Sequence, residues 1–380
     1  MRRSESSLKR VEFVPISFVS LSATKSLARR IHINPFTDNQ RMKSTYRNIF
    51  FAVGCLAVII MMVTMDVTME DVKAALLQAS YRFPALVLLW MGIYMMNAYA
   101  WYIILNSGFA VRKIKYWLVY KFTITSFALN SVTPMGLMGG EPYRIMETMP
   151  YVGVEKASSS VVLYVMMHIF SHFCFWLFSV LLYVVFYFNT LNIYVGCILG
   201  VAVLVCLLGI YFFMKGYRRG MLVKLFHGLA KVPFLRNKVV HFMEANDEKL
   251  RKADALIVDL HVNHKSTFYT SLFTEFMARI ISCAEIWVIL TIFVDSVSYV
   301  DCILVLAFTS LFANAMFFLP LQLGAREGGF AMIVKGLSFP FSYGVFLGLV
   351  IRLRELVCIC IGLVLMKFGN KRVVEVADCK

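Results

Sequence analysis

Charged residues embedded in apolar sequence mark where this chain can do chemistry. Glu141 and Arg144 follow an apolar run that stops at Thr133-Pro134. Arg326 and Glu327 follow a second run that stops at Pro320, and Arg352, Arg354 and Glu355 interrupt a third. An ionised side chain at the centre of a bilayer costs roughly 2.5–3.5 kcal/mol even on lenient scales. Such residues either line a polar site or pair with one another to lock the helices. Glu141, Arg144, Glu327 and one of Arg352 or Arg354 are read as site residues, and Glu355 as a structural partner.

The two breaks share a design. Pro134 lies seven residues before Glu141, Pro320 lies seven before Glu327, glycine fills both intervals, and an asparagine (Asn130, Asn314) precedes each. A helix that starts after such a break presents unbonded N–H groups and a partial positive charge. Glycine lets a ligand approach the backbone, and arginine grips phosphate or carboxylate through two parallel bonds. Gly139, Gly140, Glu141, Arg144, Gly324, Arg326, Glu327 and Arg352 are therefore the candidate binding residues for an anionic group. No Lys-Ser/Thr follows the glycines, so they are not a nucleotide phosphate loop.

Other constellations are weaker. His168 and His172 stand four apart, a spacing that can bind zinc, but the residues between are Ile-Phe-Ser, with no general base. A buried polar contact or a wall of a pathway is the preferred reading, and no metal or cofactor is assigned. Glu275 and Arg279, also four apart and followed by Glu285, read as an ion pair within or between helices near a membrane face. No nucleophile–base pair stands out, so no catalytic residue is named. Seven of the nine cysteines lie in apolar runs without CxxC spacing and read as small buried hydrophobes.

The elements that must position these residues are membrane helices. Sixty per cent of residues are hydrophobic, 16% are charged and the mean hydropathy is +0.73, whereas a soluble domain carries about a quarter charged residues. Apolar runs reach the roughly 20 residues a spanning helix needs, without the alternation of a transmembrane barrel. Runs at about 49–64, 83–105, 117–132, 158–188, 191–214, 267–293, 302–319 and 342–366 predict an all-α, polytopic membrane helical bundle. The net charge of +16 is concentrated in 1–47, 215–265 and the tail. That placement fits cytoplasmic segments facing anionic head groups rather than nucleic acid. The expected organisation is a basic, disordered extension over 1–47, a transmembrane domain over 48–367 containing the cytoplasmic segment 215–265, and a tail over 368–380. Met42 offers an alternative start.

Counting every run as a crossing puts the basic segment 215–265 outside. The conflict vanishes if 115–150 is a re-entrant hairpin entered from the cytoplasm and 302–340 one entered from the opposite face. Non-helical backbone at depth is tolerated only where it is buried in protein or lines a cavity. Two broken helices entering from opposite sides are the signature of an inverted repeat.

At the breaks the sequence resembles the lysylphosphatidylglycerol synthase transmembrane-region family, also described as flippase-like. Thr133-Pro134-x-Gly136-x-x-Gly139-Gly140-Glu141-Pro142-x-Arg144 is similar to its first motif, Leu319-Pro320 through Gly324-x-Arg326-Glu327-Gly328 to its second, and Arg352-Leu353 to an arginine in its last span. The second motif reads Leu321-Gln322-Leu323 where the family has more glycine. The resemblance implies a lipid translocase of the inner (plasma) membrane that moves a polar or anionic-headgroup lipid between leaflets. The family's named synthase activity resides in a separate soluble domain; with the sequence ending at Lys380, shortly after its last span, that transferase domain is expected to be absent and no aminoacyltransferase activity is expected. The alternatives are a non-transporting accessory subunit of envelope glycolipid or lipid-modification machinery, and an intramembrane lipid-modifying enzyme with only His168 and His172 to support it. Expected partners are a membrane lipid substrate and anionic head groups, with a homo-oligomer or an envelope-biosynthesis partner as further options.

The charge distribution predicts that the N-terminus, segment 215–265 and the C-terminus are all cytoplasmic. Single cysteines at positions 113, 240 and 375, in a background lacking native cysteines, should resist a membrane-impermeant thiol reagent in intact cells. Labelling of position 240 there would contradict the re-entrant hairpins.

Overall fold

The computed structural model describes residues 77–107, 113–132, 139–219, 236–315, 325–337 and 339–367. The chain divides into two units, 1–49 and 50–380, and all described residues belong to the second. The extension over 1–47, the first apolar run, Gly136, Gly324 and the tail lie outside the described residues.

All regular structure among the described residues is helical. The helices are α1 (Arg82–Leu105), α2 (Tyr116–Val132), α3 (Gly140–Val152), α4 (Val154–Phe186), α5 (Ile193–Arg219), α6 (Arg236–Asn263), α7 (Lys265–Leu290), α8 (Tyr299–Ala315), α9 (Ala325–Gly336) and α10 (Phe341–Lys367). A 3₁₀ turn at Phe188–Thr190 separates α4 from α5. Among the described residues, three helices are long and apolar enough to cross a membrane: α1, α4 and the Ile193–Tyr217 portion of α5. α7 and α10 are as long, at 26 and 27 residues, but carry Glu275, Arg279 and Glu285, and Arg352, Arg354 and Glu355. α5 turns Ile193, Tyr194, Ile198, Leu204 and Leu208 outward. Such a surface suits hydrocarbon and would aggregate in water.

Gly153 separates α3 from α4. Its φ of +83° is a conformation glycine adopts freely. Its N–H closes α3 by donating to the Met149 carbonyl at 2.9 Å, and its carbonyl accepts from the Ala157 N–H at 3.0 Å to begin α4.

The helices before and after α5–α6 follow the same order of lengths. α1, α2, α3 and α4 have 24, 17, 13 and 33 residues; α7, α8, α9 and α10 have 26, 17, 12 and 27. Their contacts correspond as well. α2 packs on α3 and α8 on α9, α3 on α4 and α9 on α10, and α2 on α10 and α8 on α4, while α1 packs directly on α7.

Helices in lipid associate through close packing at small residues rather than by expelling water. A Cβ on Gly362 of α10 would sit 2.6 Å from Ala128 Cβ and 2.8 Å from the Ile124 carbonyl of α2. A Cβ on Gly344 would sit 2.5 Å from Ala331 Cα of α9. The polar lock is Arg354. Fully buried on α10, it donates from Nε to Glu285 Oε1 at 2.7 Å and from Nη2 to Glu285 Oε2 at 2.9 Å on α7. Its guanidinium also lies 4.0 Å from the Trp90 ring centre of α1. One arginine thus ties three helices together.

Breaking such a pair from one side leaves a buried charge unmatched and costs about 3–5 kcal/mol, whereas removing both partners costs less. Glu285→Gln and Arg354→Met should each lower the apparent melting temperature followed by size-exclusion chromatography. The double variant should melt higher than either single one. Additive losses in the double variant would show that the two side chains act independently.

Candidate functional site

The first break is closed by one asparagine. Asn130, near the end of α2, accepts the Gly140 N–H on Oδ1 at 2.7 Å and donates from Nδ2 to Glu141 Oε1 at 2.9 Å. It thereby satisfies one of the unbonded N–H groups at the start of α3 and fixes the Glu141 carboxylate. The other carboxylate oxygen, Oε2, is buried without a hydrogen-bond partner. Gly140 is required because a Cβ there would meet Ser126 Oγ at 2.3 Å and the Ser126 carbonyl at 2.4 Å. Pro142 follows within the first turn, where a missing N–H breaks no helical bond.

Arg144 lies one turn further along α3. It is only 6% exposed. Its guanidinium sits between two rings, 4.9 Å from the centre of Trp101 on α1 and 4.7 Å from that of Tyr164 on α4. Its Nε is buried without a hydrogen-bond partner, and no carboxylate among the described residues forms an ion pair with it. Glu141, three residues earlier, turns to Asn130 instead. Ring faces attract a cation, worth up to about 2 kcal/mol when desolvated, but they supply no acceptor for its N–H groups. A buried guanidinium in this state is a receptor for an anionic oxygen.

Tyr164 joins this arginine to a second polar group. Its ring centre is 6.1 Å from that of His168, one turn along α4. His168 Nδ1 lies 2.7 Å from Glu275 Oε2 of α7, with side-chain exposures of 40% and 1%. Arg279, one turn on, donates from Nε to Ser171 Oγ at 2.8 Å and from Nη2 to the His168 carbonyl at 2.9 Å. Glu275 and Arg279 therefore both bind α4, a connection between helices rather than along one. The His172 ring lies tilted against that of Trp176, with centres 5.4 Å apart, and Trp176 Nε1 donates to Ser310 Oγ of α8 at 2.8 Å.

The eight residues singled out in sequence separate into groups. Gly139, Gly140, Glu141 and Arg144 come together at the start of α3. Arg352, 5% exposed, donates to Glu355 on its own helix at 3.2 Å, so its neighbourhood differs from that of Arg144. Arg326 and Glu327 occupy the first turn of α9; their side chains, like Gly324, lie outside the described residues. Asn314 donates to the Ser310 carbonyl at 2.7 Å, a different role from that of Asn130. Trp101 is wholly buried and packs on Arg144. Cys197 and Cys360, expected to be buried, are exposed on the outer faces of α5 and α10. Apart from these groups, an apolar cavity of roughly 250 Å³ lies between α4, α5, α8 and α9, lined by Tyr183, Leu199, Leu304, Phe308 and Ile333 among others.

Comparison with known proteins agrees with the motifs at the breaks. The family model described as the lysylphosphatidylglycerol synthase TM region matches residues 49–362. No curated protein and no solved structure gives a match. The match spans most of the chain, so this protein belongs to the lysylphosphatidylglycerol synthase TM region family, whose members are membrane proteins tied to lipid handling.

Proposed function

We propose that the protein is a flippase-like lipid translocase that carries a polar or anionic-headgroup lipid between leaflets. The observation that carries this reading is Arg144, buried between Trp101 and Tyr164 with no protein acceptor for its Nε. An anionic head group supplies what the protein withholds: an oxygen acceptor and a countercharge. The start of α3 adds partial positive charge one turn away, and Asn130 keeps Glu141 turned from the arginine. The apolar cavity between α4, α5, α8 and α9 has a lining compatible with an acyl chain.

Transport needs a site that opens to both faces. The matched lengths and contacts of α1–α4 and α7–α10 support an inverted repeat in which α2–α3 and α8–α9 are re-entrant hairpins entering from opposite sides. The second sequence motif, with Gly324, Arg326 and Glu327, is then the counterpart in the repeat of the first break, and Arg352 follows it on α10. The protein acts in the inner (plasma) membrane with both termini cytoplasmic, and it moves lipid rather than modifying it.

Reconstituted in proteoliposomes, the wild type should scramble an anionic fluorescent phospholipid. Arg144→Gln should reduce the rate at least about tenfold, the loss expected for a hydrogen bond to a charged group, with normal monodisperse yield. Arg144→Lys keeps the charge but loses the planar fork, so it should remain impaired. Glu141→Gln, Glu327→Gln and Arg352→Ala should lower transport more than yield. Wild-type protein that moves no lipid alone would favour an accessory subunit. Normal transport in all five variants would reduce these charges to a structural network.

A further inference from the structure

We infer that the cleft between α4, α5, α8 and α9 is a second lipid site, which takes one acyl chain of a lipid in the leaflet opposite the Arg144 site. The inference rests on the acyl-chain reading of this cavity and stands whether or not Arg144 receives a head group. α4 and α8 pack on each other and make the floor; α5, packed on α4, and α9, packed on α8, make the sides. The rings of Tyr183 and Phe308 meet edge-on across the floor, with centres 6.1 Å apart, and Leu199 and Ile333 line the two sides.

The mouth opens sideways into the lipid. Ile198 of α5 and Met332 of α9 belong to the lining and are also exposed on the outside of the bundle. Ile198 is part of the outward apolar face of α5, so the cleft is continuous with a surface that meets hydrocarbon in a bilayer. Water is a poor occupant, because a buried water needs about two to four polar partners. The backbone on the α9 side supplies no donor at Leu337, whose N–H is bonded to the Ile333 carbonyl at 3.0 Å. An empty cleft would forfeit the dispersion contacts of its walls. A chain that fills it is held by fit, since in lipid there is no water to expel.

Depth assigns the leaflet. Tyr183 stands in the last turn of α4, whereas Tyr164, which carries Arg144, lies about 28 Å away along the same helix at 1.5 Å per residue. The hydrocarbon core is about 30 Å thick, so the two sites lie toward opposite faces. The chains of one lipid cover about half that thickness, and a lipid with its head on Arg144 falls short of the cleft. The head of the lipid in the cleft belongs at the turn between α4 and α5. There the Tyr187 ring stacks on that of Tyr183, centres 5.5 Å apart, and its hydroxyl donates to Asp301 at the start of α8. That polar pair and the 3₁₀ turn at Phe188–Thr190 end the apolar stretch. For a translocase, the cleft gives a chain a berth in the leaflet that Arg144 does not serve.

The test is photolabelling of the purified protein in phosphatidylcholine vesicles that contain phosphatidylcholine with a mid-chain diazirine, followed by mapping of the adducts by mass spectrometry. A zwitterionic probe suits a site that selects a chain rather than a head-group charge. The wild type should carry adducts on Phe308 of the floor as well as on Leu204, an outward residue of α5. Gly336→Leu adds a side chain at the cleft wall where a Cβ would meet nothing within 4 Å, and leucine suits a helix better than glycine. Leu199→Trp fills the cleft from the other side. Each should lose the Phe308 adducts and keep those on Leu204; Gly336→Leu decides the matter if Leu199→Trp does not fold. Arg144→Gln should keep the Phe308 adducts. Their absence from the wild type, or their persistence in both filled variants, would overturn the site. Their loss in Arg144→Gln would overturn the separation of the two lipids. The head-group role of Arg144 is read by anionic-lipid transport in that same variant, so either reading can fail alone.

Discussion

A charge cannot be left unmatched inside a membrane protein, and the packing of this chain follows from how each of its buried charges is met. Arg354 is met by Glu285, with two short hydrogen bonds and a ring face behind. Glu275 is met by His168, and Arg279 by a serine hydroxyl and a carbonyl. Each of these contacts joins α7 to a neighbouring helix, which makes α7 the polar spine of the bundle. Its charges are what keep it below the apolarity of α1, α4 and α5. Arg144 breaks the pattern: among the described residues it is met by two aromatic rings, and its Nε is buried without a hydrogen-bond partner. The contrast with Arg354 is informative, since both arginines are buried and both lie on a tryptophan, yet among the described residues only Arg354 has a carboxylate partner.

The packing of α3 on α2 that presents Arg144 depends on two small features. Gly140 permits α3 to lie against the Ser126 backbone of α2, and Asn130 bonds both the first N–H of α3 and the Glu141 carboxylate. Together they fix where the helix starts and hence where the arginine one turn later must point. Substitution of either residue would displace Arg144 without touching it, so a lost function there would be positional in origin.

Much of the fold is readable from the sequence, because a membrane helix announces itself by length and apolarity. α1, α4 and α5 follow from that signal alone, and the proline–glycine breaks mark where α3 and α9 begin. α7 and α10 are visible in spite of their charges because apolar residues continue on both sides. The partners of those charges are not visible. His168 and Glu275 are separated by 107 positions, and Arg354 and Glu285 by 69; no local spacing records such a pairing. Trp101 and Tyr164 look like ordinary aromatic residues of a span until the fold places Arg144 between them. Tyr164, His168 and His172 do recur at intervals of four, which puts them on one face of α4, and that periodicity was the one sequence signal for the polar line they form.

Function turns on whether Arg144 is completed by a lipid. The most direct measurement is native mass spectrometry of the protein purified in mild detergent, comparing wild type with Arg144→Gln. The wild type should retain one tightly bound anionic lipid that survives extensive washing, and Arg144→Gln should lose that lipid while keeping the same loosely bound neutral ones. Identical lipid complements in the two proteins, with no anionic species retained by either, would contradict the claim that this buried arginine is a head-group receptor.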